Sequence, residues 1–299
     1  MTVPDRLLGP EQILDLDAEA ADRLLDRLER TVPARPTVVP LDGGTLEEAV
    51  VFGDTHGDWR STRDFVTLWQ SKPDRFLVGL GDYIDRPPDD CPGGSVANAL
   101  FLLELAALHP ERVVLLQGNH ETQRRIPVVP HTLPEEIDEL WGPEEERYHR
   151  LLGLLERGAF VATTASGVYL SHAGFPRAAA TSRWREALEP LDEDRIVELV
   201  WAECDASRSR RGVVPPWTER DLDDFLRASG FGLVLRGHDP DVTGRALYHG
   251  RCLTLQTTRI YERYGGVIVA VVPLRDRLAS VERMIVHHLA VEGKSFAGP

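Results

Sequence analysis

Residues 49–58 read Ala49-Val50-Val51-Phe52-Gly53-Asp54-Thr55-His56-Gly57-Asp58. A short apolar, β-rich run passes straight into a glycine-bounded Asp-x-His, and the arrangement recurs downstream. Arg75–Leu80 leads into Gly81-Asp82-Tyr83-Ile84-Asp85-Arg86, and Arg112–Leu116 leads, one residue on, into Gly118-Asn119-His120-Glu121. Gly167–Leu170 is followed by Ser171-His172-Ala173-Gly174, and Gly232–Leu235 by Arg236-Gly237-His238-Asp239. Five predicted strands thus deliver Asp, His and Asn to their C-terminal ends. Open α/β sheets build their sites there, because loops and glycines let ligands approach the backbone.

Around these blocks, helical patterns cover Arg60–Gln70, Val96–Leu108, Glu135–Leu140, Glu146–Glu156, Arg183–Glu189 and Glu219–Ala228. Further strands read at Cys252–Leu255, Gly266–Val272 and Val281–His287. Strands that alternate with helices and then follow one another predict an α/β fold with a mixed sheet system, antiparallel at its C-terminal end. Upstream, Leu14, Ala21, Leu24, Leu25 and Leu28 lie at helical spacing within Glu11–Arg30, an amphipathic helix that docks on something larger. Pro33, Pro36 and Pro40 make Thr31–Pro40 an extended connector. Residues 1–40 are therefore read as a docking helix and connector, and residues 41–299 as the catalytic domain.

The 299-residue chain is 42% hydrophobic and 27% charged, within the ordinary globular range, and it carries 34 basic against 48 acidic residues, a net charge of −14. An acidic field of that size argues against nucleic-acid or anionic-membrane partners, so an anionic substrate must be caught locally. No stretch approaches the ~20 apolar residues of a membrane span. The N-terminus lacks a secretory layout, and Cys91, Cys204 and Cys252 are scattered without CxxC spacing. The expectation is a cytoplasmic protein whose thiols are core or loop residues. His249, His287 and His288 stand outside the blocks and are read as strand or loop residues.

Asp54, His56, Asp82, Asn119, His172 and His238 form an oxygen and nitrogen ligand set without thiolate, suited to Mn, Fe or Zn. Six ligands exceed one tetrahedral site. A carboxylate such as Asp82 can bridge two cations ~3.5–4 Å apart, the arrangement that activates a water for in-line attack. Asp54 and His56 are assigned to one cation, Asn119, His172 and His238 to the other, and Asp82 to both. Burying so many ionisable groups without a cation would be very unfavourable.

The blocks Gly-Asp-x-His-Gly, Gly-Asp-Tyr-Ile-Asp-Arg, Gly-Asn-His-Glu, His-Ala-Gly and Arg-Gly-His resemble the signature of the metallophosphoesterases, specifically phosphoprotein phosphatases related to protein phosphatase 1. The resemblance extends over most of the chain and implies two packed mixed β-sheets flanked by helices, with the N-terminal helix on the outside. It implies metal ligation by the six residues above, phosphate binding by Arg86 and Arg211 with Asn119 beside them, general-acid work by His120 oriented by Asp85, and a tyrosine at the site mouth, Tyr261. Each role has a physical basis: guanidinium forks grip a phosphoryl dianion, and a strongly basic alkoxide leaves more readily when a positioned His donates a proton. Arg211 lies in the run Arg208-Ser209-Arg210-Arg211, whose other arginines are alternatives for its role. The sequence departs from the family at Thr257-Thr258-Arg259-Ile260, where Ser-Ala-Pro-Asn is usual, at Pro87 and at Ala173.

The implied activity is hydrolysis of Ser/Thr phosphomonoesters in phosphorylated proteins, extending to phosphotyrosine, with two divalent cations, Mn first and Fe or Zn as alternatives. The competing reading is a dinucleoside polyphosphate hydrolase or broad-specificity phosphoesterase. Arg211-Gly212-Val213 and the long segment Thr122–Leu170 favour the protein phosphatase. Neither native metal, regulatory partner nor oligomeric state is legible.

Overall fold

The structure is a computed structural model that describes residues 7–41, 44–177, 183–208 and 211–289. Among the described residues, ten strands form two five-stranded mixed sheets. In the first, β2 (Glu48–Phe52) runs parallel to β3 (Arg75–Gly79), and β3 parallel to β4 (Val113–Leu115). On the other side of β2, β9 (Ile268–Pro273) and then β10 (Ile285–His288) are antiparallel. The second sheet is ordered β1 (Val38–Leu41), β5 (Val161–Thr164), β6 (Val168–Ser171), β7 (Leu233–Arg236) and β8 (Cys252–Thr254), with only the β5–β6 pair antiparallel.

The strands are apolar on both faces because both faces are covered. Along β2, Ala49 and Val51 point into the core between the sheets, against Leu170, Leu235 and Leu253 of the second sheet. Val50 and Phe52 point the other way, into a helical layer. That layer contains α3 (Trp59–Gln70), α4 (Gly94–Leu108), α5 (Leu133–Trp141) and α6 (Glu145–Leu155). The outer face of the second sheet, including Tyr169 and Val234, packs under α7 (Glu193–Trp201) and α8 (Glu219–Ser229). Two packed mixed sheets flanked by helices are therefore the observed architecture.

The N-terminal segment docks on α4, as its amphipathic pattern requires, but as two helices. α1 (Pro10–Leu14) and α2 (Ala18–Thr31) are separated where Asp17 caps α2, accepting from Ala20 N–H at 2.8 Å. The buried Glu104 of α4 anchors the segment, accepting from Leu8 N–H at 2.6 Å and from Arg27. Several local expectations change. Val38–Leu41, inside the Pro-rich connector, is an edge strand, a position where Pro40 is tolerated. Val161–Thr164 and Glu193–Trp201 form a strand and a helix that the pattern did not single out. Within Arg183–Glu189 only a 3₁₀ turn, Glu186–Leu188, forms, and Val281–Arg283 is likewise a 3₁₀ turn ahead of β10.

Candidate active site

The five polar blocks follow β2, β3 and β4 of one sheet and β6 and β7 of the other, so both sheets end on one cluster. The sheets are stitched there. Asp54 bridges to Gln256 beyond β8, and Thr257 N–H donates to Asp54 O at 2.9 Å. His56, Asp82, Asp85, Arg86 and His238 all have positive φ, between 44° and 71°. Such backbone is unfavourable by ~1–3 kcal/mol per non-glycine residue, and here it is concentrated in candidate site residues. Gly118 and Gly237 have no room for a Cβ, which would collide with the carboxylates of Asp82 and Asp54 respectively.

All six proposed ligands are buried and converge. His172 Nδ1 donates to Leu80 O at 3.0 Å, which leaves Nε2 as a bare lone pair. That lone pair faces His238 Nδ1 at 3.1 Å, Asn119 Oδ1 at 3.0 Å and Asp82 Oδ1 at 3.4 Å. On the other side His56 Nδ1 donates to Ile84 O at 3.0 Å, so its Nε2 is turned toward Asp54 Oδ2 at 3.9 Å and Asp82 Oδ2 at 3.8 Å. Asp82 presents one oxygen to each group. Acceptors brought face to face repel unless a cation lies among them, and hard-to-borderline divalent ions suit this donor set. Among the described residues, two groups bring candidate ligand atoms within 4.8 Å of one another, His56–Asp82–His120 and Asp82–His172–His238. The first includes His120, whose Nε2 is 4.0 Å from Asp82 Oδ2.

Burial holds the imidazoles neutral: His172 is pushed down to about 4, and His56 and His238 lie well below the ordinary value. Neutral imidazole is the ligating form. Burial pushes the Asp54 and Asp82 carboxyls up, and the field of Asp82 adds to the rise at Asp54. Nearby cations would reverse that direction.

Two arginines flank the cluster. Arg86 Nη2 lies 2.8 Å from His56 Nε2 and 3.0 Å from His120 Nε2, and its Nη1 donates to Tyr261 Oη at 2.9 Å. The Arg86 contact and cation ligation use the same His56 lone pair and are alternatives. Arg211 Nη1 reaches His238 Nε2 at 2.8 Å and the buried Glu203 at 3.3 Å. Of its neighbours in the arginine run, Arg210 lies outside the described residues. His120 Nδ1 donates to Asp85 Oδ2 at 2.6 Å. Burial alone would raise the Asp85 carboxyl, but hydrogen bonds from His120 and His131 hold it far below the carboxylate range. The cavity over the cluster measures about 90 Å³, and Val128, Val129 and Trp201 join the polar residues in lining it. A larger depression, about 730 Å³, lies between α2 and α6, away from every ligand cluster.

Sequence reasoning brought all of these candidates together but missed their supports. Glu121, quoted within its block yet given no role, is fully buried and accepts backbone N–H bonds from Asp82 at 2.7 Å, Tyr83 at 2.8 Å and Gly118 at 2.8 Å. Burial and the Asp82 field push its carboxyl up to about 8. Arg259, in the departing Thr-Thr-Arg-Ile stretch, pairs with Asp58 at 2.9 Å and Asp90 at 2.6 Å, tying the segment of Tyr261 to the loops after β2 and β3. His131 carried no signal at all, since it lies outside every block. The three cysteines are buried and free.

A model of the calcineurin-like phosphoesterase family matches residues 49–241, well over half of the chain and including all five blocks. The chain belongs to that family. Family members use divalent metals, in keeping with the ligand clusters described above. Among its relatives is a protein of Encephalitozoon cuniculi named a probable serine/threonine-protein phosphatase, 26% identical over 84% of this chain and 55% of its own length. A serine/threonine-protein phosphatase 4 catalytic subunit of Candida glabrata is 26% identical over 83% of this chain and 80% of its own length. The chain spans 55% and 62% of the first of these relatives and of a PP2A-like phosphatase of Candida albicans. In structure, a protein serine/threonine phosphatase of Saccharomyces cerevisiae superposes over 96% of this chain and 92% of its own, with a TM-score of 0.68 at 20% identity. A cold-active protein tyrosine phosphatase superposes over 86% of this chain and 80% of its own, with a TM-score of 0.52 at 17% identity. Both share the fold.

Proposed function

We propose that this calcineurin-like phosphoesterase is a phosphoprotein phosphatase that hydrolyses Ser/Thr phosphomonoesters with two divalent cations, manganese first among the candidates. The observation that carries the reading is the joining, in one small cavity, of a divided oxygen and nitrogen ligand set with two guanidiniums and a His–Asp pair. Asp54 and His56 would hold one cation and Asn119, His172 and His238 the other, with Asp82 placed to serve both. Such cations, when bound, supply Lewis acidity and lower the pKa of a water that attacks phosphorus in line.

Arg86 and Arg211 bind the phosphoryl oxygens and stabilise the charge that builds on them. Asn119 shares that surface. Tyr261 Oη accepts from Arg86 Nη1 and so sets the direction of the guanidinium at the mouth. Asp85 accepts a hydrogen bond from His120 Nδ1 and so fixes the ring with Nε2 facing the cavity, the atom that gives a proton to the leaving oxygen. The helices α1 and α2 act as an outer brace on the catalytic domain, whose second sheet takes in Val38–Leu41. A cytoplasmic setting is part of the proposal and draws on the buried, unpaired thiols.

The test is a substrate panel on manganese-loaded protein: a phosphoserine peptide, a phosphotyrosine peptide and dinucleoside tetraphosphate at equal concentration. Highest kcat/KM on the phosphoserine peptide is expected. Preference for the dinucleotide would replace the proposal with the polyphosphate hydrolase reading.

A further inference from the structure

Asp85 serves two histidines, not one. Its Oδ2 accepts from His120 Nδ1 at 2.6 Å and also from His131 Nδ1 at 2.9 Å. Its Oδ1 accepts from the backbone N–H groups of Thr132 at 2.8 Å and Leu133 at 3.0 Å, the start of α5. Three of the four donors on this buried carboxylate thus come from the single segment His131–Leu133. A carboxylate can only accept, so His131 carries its proton on Nδ1, and its Nε2 accepts from Tyr148 Oη of α6 at 3.1 Å. The Tyr148 ring also meets the His131 ring edge-on, with centroids 5.5 Å apart.

We infer that His131 is a positioning residue for the reaction: it shares Asp85 Oδ2 with His120 and thereby fixes the carboxylate that orients the His120 ring. This rests on the phosphatase reading above. The physical reason is that a carboxylate oxygen with one strong donor can pivot about its χ2 torsion, carrying the imidazole with it. A second donor on the same oxygen, with Oδ1 tied to α5, removes that freedom. The Tyr148 hydroxyl in turn selects the His131 tautomer that donates toward Asp85. Groups that orient a ligand or catalytic imidazole are worth ~10–100-fold when removed, so the effect is within reach of measurement.

The experiment uses the full chain with three variants. His131→Phe keeps the ring and its packing on Tyr148 but loses both hydrogen bonds. His131→Gln carries its amide at the Nε2 end, away from Asp85, and serves as a second loss variant should the Phe variant fold poorly. His131→Asn places an amide N–H where Nδ1 stood and serves as the conservative rescue. Metal content is matched before comparison. Turnover of a phosphoserine peptide is expected to fall ~10-fold in the Phe and Gln variants and to return to within ~3-fold of wild type in the Asn variant. Para-nitrophenyl phosphate, whose leaving group departs without a proton, is expected to change less than ~2-fold throughout. A readout independent of turnover is the downfield proton resonance of His120 Nδ1–H, expected to shift or broaden in the Phe and Gln variants and to persist in the Asn variant. If the resonance behaves so while phosphoserine peptide is not hydrolysed even by wild type, the shared carboxylate stands and the substrate reading falls. An unmoved resonance in the loss variants, or an Asn variant as slow as the Phe variant, overturns the inference.

Discussion

Replacing Glu121 separates the scaffold of the site from its chemistry, because Glu121 is not among the residues lining the cavity over the cluster and carries no proposed chemical role. Its Oε2 accepts from Asp82 N–H at 2.7 Å and Gly118 N–H at 2.8 Å, and its Oε1 from Tyr83 N–H at 2.8 Å. In Glu121→Ala all three donors lose their partner, and each buried unsatisfied group is unfavourable by ~1–3 kcal/mol. Water entering the vacated volume favours the lower figure, which gives about 3 kcal/mol in total. At ~2–4 °C per kcal/mol for a chain of this size class, the melting temperature falls by roughly 6–12 °C. Glu121→Gln keeps one oxygen for the two donors at Oε2 and sets its amide group against Tyr83 N–H, so about one donor is lost and the effect, on the same basis, is ~1 kcal/mol. Asp82 has φ of 57° and is held there by this bond, so both variants are also expected to bind manganese more weakly, Ala more than Gln. Denaturant midpoints measured after chelation isolate the scaffold, because bound metal adds stability of its own. A Gln variant as damaged as the Ala variant, or an Ala variant within ~1 kcal/mol of wild type, would refute the role given to these three hydrogen bonds.

Further outcomes follow from the same geometry. Asp82→Asn is expected to lose metal and turnover together, whereas Arg86→Ala keeps the metals and loses phosphate affinity and rate; metal analysis beside kinetics checks it, and equal metal loss in both contradicts the division of labour. His120→Asn is expected to slow a phosphoserine peptide by ~10²–10⁴ and para-nitrophenyl phosphate far less, and equal slowing would mean that His120 acts on the phosphoryl group instead. In the metal-free protein the buried histidines lower stability on acidification, while the raised carboxyls of Asp54, Asp82 and Glu121 act in the opposite direction. His172 has a folded value of about 4 against 6.5 for the free side chain, so the folded state binds fewer protons between those values and stability drops as pH falls through that window. From pH 6.5 to 5 this amounts to about 2 kcal/mol, with His56 and His238 adding in the same direction. Urea midpoints of the chelated wild type and of His172→Gln at pH 7 and pH 5 isolate it, and a pH 7 to pH 5 change equal in the two proteins would count against burial of a neutral His172.

What the sequence by itself determined is the local logic of the site. Apolar runs such as Val50–Phe52 ending in Gly-Asp-x-His place a ligand at a strand terminus whatever lies beside it, since chain direction and side-chain alternation are local properties. The strand-end places of Asp54, His56, Asp82, Asn119, His172 and His238 were therefore legible, as were the helices whose apolar period is strong. What only the tertiary structure decided is whatever depends on a partner distant in the chain. Val38–Leu41 is a strand because Val161–Thr164 lies alongside it, and Pro40 reads as a breaker until the edge position is known. Glu121 is a scaffold acceptor because three backbone donors from two loops meet it, and Arg259 is a tie because Asp58 and Asp90 come from separate loops. His131, 46 residues from Asp85, acquires its place only when α5 brings its N-terminus onto that carboxylate. A ligand's type and its place on a strand are written in the residues next to it. The hydrogen bonds that orient it come from donors far away in the chain, and only the folded arrangement of both sheets and their helices brings those donors within reach.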